Sequence, residues 1–151
     1  MLKVGELAPE FSGRDQHGKT VTLRGSLARG RLIIYFYPKD FTPVCTAQAC
    51  TFRDASEDLA ELGATVIGVS GDNSDSHQRF AEKHGVPFSL LVDPERRIIK
   101  AYGASMPILN RTLRVTYGID TNRRILGAFH HELSAAKHLS DVKRALESAK
   151  S

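Results

Sequence analysis

Apolar positions along the chain fall into two rhythms. Leu32 to Tyr37 is an unbroken run of branched and aromatic residues closed by Pro38, the pattern of a central strand covered on both faces. Ala64 to Ser70 repeats it, and Phe88 to Val92 forms a third strand ended by Asp93-Pro94. Between these runs the spacing becomes helical. A helix starting at Pro43 presents Phe52, Ala55, Leu59 and Leu62 on one side and stops at Gly63. Another begins near Ser74-Asp75, turns Phe80 and Ala81 inward and ends by Gly85, and Ile98 to Tyr102 predicts a short helix.

The two ends of the chain alternate instead. Residues 10 to 24 read as a hairpin turning at Asp15-Gln16-His17-Gly18, followed by a basic connection from Gly25 to Arg31. Ser105 to Asn110, with Pro107, reads as irregular. Leu113 to Ile119 and Arg124 to His130 predict a strand pair joined by Asp120-Thr121-Asn122, and Leu139, Val142, Leu146 and Ala149 stripe a final amphipathic helix. Strands alternating with helices, then a hairpin and a helix, predict an α/β domain built on one mixed sheet and spanning residues 1–151.

A content of 41% hydrophobic and 25% charged residues is that of an ordinary globular chain. The net charge of +4 invites a nucleic-acid reading, but the arginines are scattered among acids and no zinc-finger or helix-turn-helix pattern accompanies them, so no nucleic-acid partner is expected. The N-terminal stretch MLKVGELAPEF lacks the apolar run of a signal peptide, and nothing approaches a membrane span, so a cytoplasmic location and no membrane partner are expected. In that reducing setting a close cysteine pair points to catalysis or metal binding rather than a permanent crosslink. Spacing weighs against metal: Cys45 and Cys50 have no tight histidine pair to complete a tetrahedral set, and the adjacent His130 and His131 read as strand-end residues. No metal and no cofactor are expected.

Thr42-Pro43 is a helix-start signal, with threonine at the N-cap and proline in the first helical position. Cys45 then lies in the first turn, where unpaired N–H groups and the helix dipole favour an anion, making it the better nucleophile of the pair. Cys50 falls five residues on in the same helix. Ideal helix geometry separates the two Cα atoms by roughly 8 to 9 Å, at about 140° around the axis, whereas a disulfide tolerates at most about 7 Å. A bond between them therefore requires part of the helix to unwind.

The stretch YFYPKDFTPVCTAQACTFRD resembles the peroxiredoxin family, most closely its bacterioferritin-comigratory-protein or peroxiredoxin Q branch. Pro38, Thr42 and Cys45 match the family's Pro-x-x-x-Thr-x-x-Cys, Cys50 matches the branch's second cysteine, and similarity extends from Pro9-Glu10-Phe11 to RVTYGID. Val44 departs from the branch, which usually has glycine there.

The resemblance implies a thioredoxin-like fold, a central mixed β-sheet flanked by helices with an N-terminal β-hairpin. It implies a thiol peroxidase that reduces hydrogen peroxide and organic hydroperoxides through a Cys45 sulfenic acid. In that family Thr42 orients the peroxide, Pro38 shields the sulfur, and an arginine on a facing strand, here Arg114, balances the charge. Gln48 would hydrogen-bond that arginine, although the same position also fits an exposed helix residue; Arg53 is the nearest competing cation. Cys50 would resolve the sulfenic acid as an intramolecular disulfide, reduced by thioredoxin or a glutaredoxin-like dithiol partner, in a monomer.

Two other functions compete. A thioredoxin-type disulfide oxidoreductase would need the Cys-x-x-Cys motif that is missing here. A redox sensor, whose disulfide-driven unwinding signals to a partner, would react once without sustained turnover.

Overall fold

The computed structural model describes residues 1–106 and 111–149. The expected N-terminal hairpin forms from β1 (Ser12–Arg14) and β2 (Thr20–Thr22), paired antiparallel, with Gly18 at a φ of 76° in the connecting turn. A short helix, α1 (Leu23–Leu27), occupies part of the stretch expected to be a plain connection. The Thr22 hydroxyl oxygen caps it by accepting from the Gly25 N–H at 3.0 Å. Five residues are too few to display a helical period in sequence.

β3 (Arg31–Phe36) leads through an irregular loop into α2 (Pro43–Asp54). α3 (Ser56–Glu61) follows almost directly, so the single helix expected up to Gly63 is broken at Ala55, whose φ of −91° and ψ of 0° bend the axis. The Ser56 hydroxyl donates to the Phe52 carbonyl at 3.1 Å, a back-bond of the type that bends helices. β4 (Ala64–Ser70) and α4 (Ser74–His84) match their expected bounds. Asn73 caps α4 at its start, and Gly85 ends it in the left-handed conformation.

Next come β5 (Ser89–Val92), α5 (Arg97–Ala101) and a two-residue ladder of β6 (Ser105–Met106) with β7 (Arg111–Thr112). Ser105 and Met106 are thus strand rather than irregular; the rest of the expected irregular segment, Pro107 to Asn110, lies outside the described residues. β8 (Val115–Ile119), β9 (Ile125–His130) and α6 (Ala135–Ala149) complete the chain.

Seven strands make one mixed sheet in the order β2-β1-β5-β4-β3-β8-β9. β3, β4 and β5 run parallel, and β8 joins β3 antiparallel, with Phe36 opposite Val115 and Leu32 opposite Ile119. Alternate residues of β3 serve opposite faces, which explains its continuous apolar character. Leu32, Ile34 and Phe36 join Ile67, Val69, Leu91, Tyr102 and Tyr117 on one side. Ile33 and Tyr35 join Phe52, Leu59, Val142 and Leu146, from α2, α3 and α6, on the other. The antiparallel register brings the residue preceding β8 to the end of β3 where the chain departs toward α2.

Candidate active site

The loop from Pro38 to Thr42 is held from within by Asp40, which is 3% exposed. One carboxylate oxygen of Asp40 accepts from the Tyr37 hydroxyl at 2.7 Å. The other accepts from the Ser76 hydroxyl at 2.9 Å and lies 2.7 Å from His77 Nδ1. The Asp40 N–H donates to Asp72, which also accepts from Ser70. Asp40, Asp72 and His77 bring potential metal-ligand atoms within 4.8 Å of one another. Those groups are already committed to each other and to hydroxyls, and His77 Nε2 is satisfied by the Leu91 carbonyl at 2.9 Å, so the cluster reads as a hydrogen-bond anchor. Phe41, next along, adopts a φ of 66°, an uncommon conformation for an aromatic residue, and packs edge-on against Phe80.

α2 begins at that anchored loop. Thr42 occupies the N-cap position with extended backbone, and its carbonyl accepts the first helical bond from the Thr46 N–H at 2.8 Å. The expected side-chain cap is not made. The Thr42 hydroxyl instead donates to the Lys39 carbonyl at 2.9 Å, which leaves the oxygen lone pairs available as acceptors. Pro43 fills the first helical position, and Cys45 lies in the first turn, 1% exposed. The N–H groups of Val44 and Cys45 are among those that an α-helix leaves without an internal acceptor. Pro38 is half-buried at the end of β3.

Arg114, one residue before β8, crosses to the sulfur. Its Nη1 donates to Cys45 Sγ at 2.6 Å, although the two residues are 69 apart in the chain. Arg114 is 7% exposed, and its backbone N–H donates to Glu132 Oε2 at 3.0 Å. A permanent cation held against sulfur in a dry site stabilises the thiolate and leaves further guanidinium donors for an incoming oxygen. Arg53 does not compete: its guanidinium pairs with Asp54 and donates to the His84 carbonyl at 2.6 Å.

Gln48 departs from both of its expected readings. It is fully buried rather than exposed, and neither amide atom has a hydrogen-bond partner among the described residues, so no bond to Arg114 forms. Cys50 is half-buried, and both cysteines are free within an uninterrupted α2, the helix-intact arrangement expected of the reduced protein. His130 lies 2.6 Å from Glu132, and His131 2.6 Å from Asp141.

Sequence patterning did not single out Tyr35, Glu132 or His138. Tyr35 stacks between Tyr37 and Phe52, and its buried hydroxyl has no partner among the described residues. Burial, then the charges of Cys45, Asp40 and Cys50, push this phenol well above its usual range. Burial alone would raise the Glu132 carboxyl, but the Arg114 N–H and His130 outweigh it and leave it lowered. An aromatic in a strand and a lone glutamate after one carry no periodic signal. Only the fold packs Tyr35 in one cluster with Cys45 and sets Glu132 beside Arg114.

A family model described as AhpC/TSA matches residues 4–127. The chain belongs to that family. Peroxiredoxin Q of Sedum lineare, a chloroplastic protein, is 39% identical over 149 residues, covering 97% of this chain and 78% of that one. The chloroplastic peroxiredoxin Q of Arabidopsis thaliana is 38% identical over 146 residues, covering 96% and 67%. Among solved structures, peroxidoxin BcpB from Mycobacterium tuberculosis superposes with a TM-score of 0.94 at 30% identity, covering 100% of both chains. Xanthomonas campestris peroxiredoxin Q superposes at 0.85 with 28% identity, covering 93% and 92%. The architecture is accordingly the thioredoxin-like fold of peroxiredoxins, and the protein is a thiol peroxidase of the peroxiredoxin Q type.

Proposed function

We propose that Cys45 is the peroxidatic nucleophile and Cys50 its resolving partner. The observation that carries this reading is the Arg114 guanidinium against the Cys45 sulfur at 2.6 Å. The thiolate attacks the terminal oxygen of a hydroperoxide. An S–O bond forms as the O–O bond breaks, sulfur is oxidised to sulfenic acid, and the departing oxygen takes a proton to leave as water or an alcohol. Thr42, with its hydrogen directed at Lys39, accepts from the peroxide O–H and orients it. The first-turn N–H groups and Arg114 stabilise the charge that moves onto the leaving oxygen. Pro38 limits water at the sulfur, and Gln48 supplies a buried amide behind it on the same helix.

Cys50 thiol then displaces water from the sulfenic acid to form the Cys45–Cys50 disulfide, after α2 opens. Thioredoxin or a glutaredoxin-like dithiol protein reduces it. The substrates are hydrogen peroxide and small organic hydroperoxides, the role is antioxidant defence, and the working form is a cytoplasmic monomer. The half-buried position of Cys50, in the same helix as Cys45, supports the intramolecular route.

Mass mapping after one equivalent of hydrogen peroxide tests the scheme. Wild type should yield the Cys45–Cys50 disulfide and Cys50→Ser a trapped sulfenic acid on Cys45. A wild-type product with Cys50 still free would remove the resolving role, and an unoxidised Cys45 would remove the whole reading.

A further inference from the structure

Arg114 is a buried cation whose partner at the active site changes charge during the reaction. With Cys45 as the proposed nucleophile, it faces a thiolate before peroxide arrives and neutral sulfur once the sulfenic acid or disulfide has formed. A buried guanidinium left without a counter-charge is costly, so a second anion is needed in the oxidised states. Glu132 is the carboxylate within ion-pair distance of Arg114 among the described residues, with Oε1 3.9 Å from Nε. That Nε has no hydrogen-bond partner among the described residues, and closing the gap by roughly 1 Å would join the two.

Glu132 is built for such a reserve role. Its Oε2 is tied down by the Arg114 backbone N–H at 3.0 Å and by His130 Nε2 at 2.6 Å, which aims Oε1 at the guanidinium. These contacts hold the carboxyl in its ionised form, its titration lying below the ordinary glutamate range. The guanidinium is therefore placed between the Cys45 sulfur at the start of α2 and the Glu132 carboxylate after β9.

We infer that Glu132 is a positioning residue: it shares Arg114 with the Cys45 thiolate and takes over as the counter-ion when that thiolate is consumed. Arg114 then stays at the site through the oxidised states. This rests on the reading of Cys45 as a thiolate nucleophile, but its test is separate from peroxide chemistry.

The test is a double-mutant cycle on the reduced protein near neutral pH, read by denaturant unfolding. Cys45→Ser replaces the thiolate with a neutral group, mimicking the charge state after oxidation. Glu132→Gln keeps the shape and the acceptor for the Arg114 N–H but removes the charge. Glu132→Gln should cost at least about threefold more in the unfolding equilibrium constant in the Cys45→Ser background than in wild type. In an Arg114→Gln background that difference should vanish. Failure of only the Cys45→Ser/Glu132→Gln pair to fold is the same result in extreme form. A ratio below about threefold, a difference that persists without Arg114, or a Glu132→Gln protein that cannot fold with Cys45 intact would overturn the proposal. Peroxide reactivity, measured separately on wild type, decides the nucleophile assignment.

Discussion

Arg114 Nη1 donates to Cys45 Sγ across 2.6 Å, joining the residue before β8 to the first turn of α2. The planar guanidinium holds sulfur with one nitrogen and keeps donors for oxygen. A lysine would supply charge without the fork. Arg114→Lys is expected to lower kcat/KM for hydrogen peroxide by about 10²-fold or more, the scale of losing one preorganised donor. Stopped-flow oxidation of the reduced protein checks it. A loss below about threefold would show that charge alone suffices.

Thr42 separates catalysis from capping because its hydroxyl makes no cap bond. Thr42→Ser should retain most activity, whereas Thr42→Val should reduce kcat/KM by about 10- to 100-fold through loss of the acceptor. Only the bond to the Lys39 carbonyl is lost from the fold, so unfolding free energy should fall by no more than about 1 kcal/mol. Equal activities for the two variants would confine Thr42 to a structural role.

Tyr35 and Gly68 sit opposite each other on β3 and β4, and a Cβ at Gly68 would lie 2.8 Å from Tyr35 Cζ and 2.9 Å from its hydroxyl oxygen. Gly68→Ala is expected to destabilise by about 1–3 kcal/mol through overpacking. Tyr35→Phe removes a buried hydroxyl that has no partner among the described residues and should be neutral or stabilising by up to about 1 kcal/mol, roughly 3 °C in Tm. Calorimetry of both variants tests the pair. Strong destabilisation by Tyr35→Phe would mean that the hydroxyl is satisfied in solution.

Disulfide formation between Cys45 and Cys50 should melt the start of α2. Both lie in one continuous helix, and helical geometry holds their Cα atoms beyond disulfide reach. Amide exchange in residues 43–54 should accelerate on oxidation, with a loss of far-UV helical signal, while β3 and β4 stay protected. Equal protection of α2 in both redox states would contradict the unwinding.

His138 makes stability depend on pH. Buried on α6, it has one ring nitrogen 2.7 Å from the His131 carbonyl, which can only accept, so the other takes the Thr116 hydroxyl proton at 2.7 Å. Burial lowers its affinity for a proton below the usual 6.5; the bond to the His131 carbonyl opposes this, and the charges of His131, His130 and Arg114 add to the lowering. The folded protein thus binds that proton less readily than the unfolded chain. Its contribution is complete above about 6.5 and is lost as pH falls from there through the lower folded value. Urea unfolding across that window should show a shallower pH slope for His138→Gln than for wild type. Glu132, also lowered, acts in the next window: its contribution is present above 4.5 and lost below.

Local signals placed much of this molecule. Unbroken apolar runs marked β3 and β4, Ser74-Asp75 and Gly85 bounded α4, and Thr42-Pro43 set the start of α2 and thereby the first-turn position of Cys45. Each depends on contacts within a few residues, which periodicity and capping rules describe. The bend at Ala55 and the five-residue α1 escaped because they are shorter than the several turns over which a helical period shows.

By itself, then, the sequence determined the strands, the main helices and the sulfur seated at a helix start, since these follow from neighbours along the chain. Patterning could not choose among the arginines; that selection came from family resemblance, and the contact itself comes from the antiparallel register that sets Phe36 opposite Val115 and carries Arg114 to the mouth of β3. The burial of Gln48, the Asp40 anchor with His77, and the Glu132 carboxylate beside the guanidinium were likewise decided only by tertiary structure. Burial and charge pairing are properties of groups brought together from distant parts of the chain, so no local pattern encodes them.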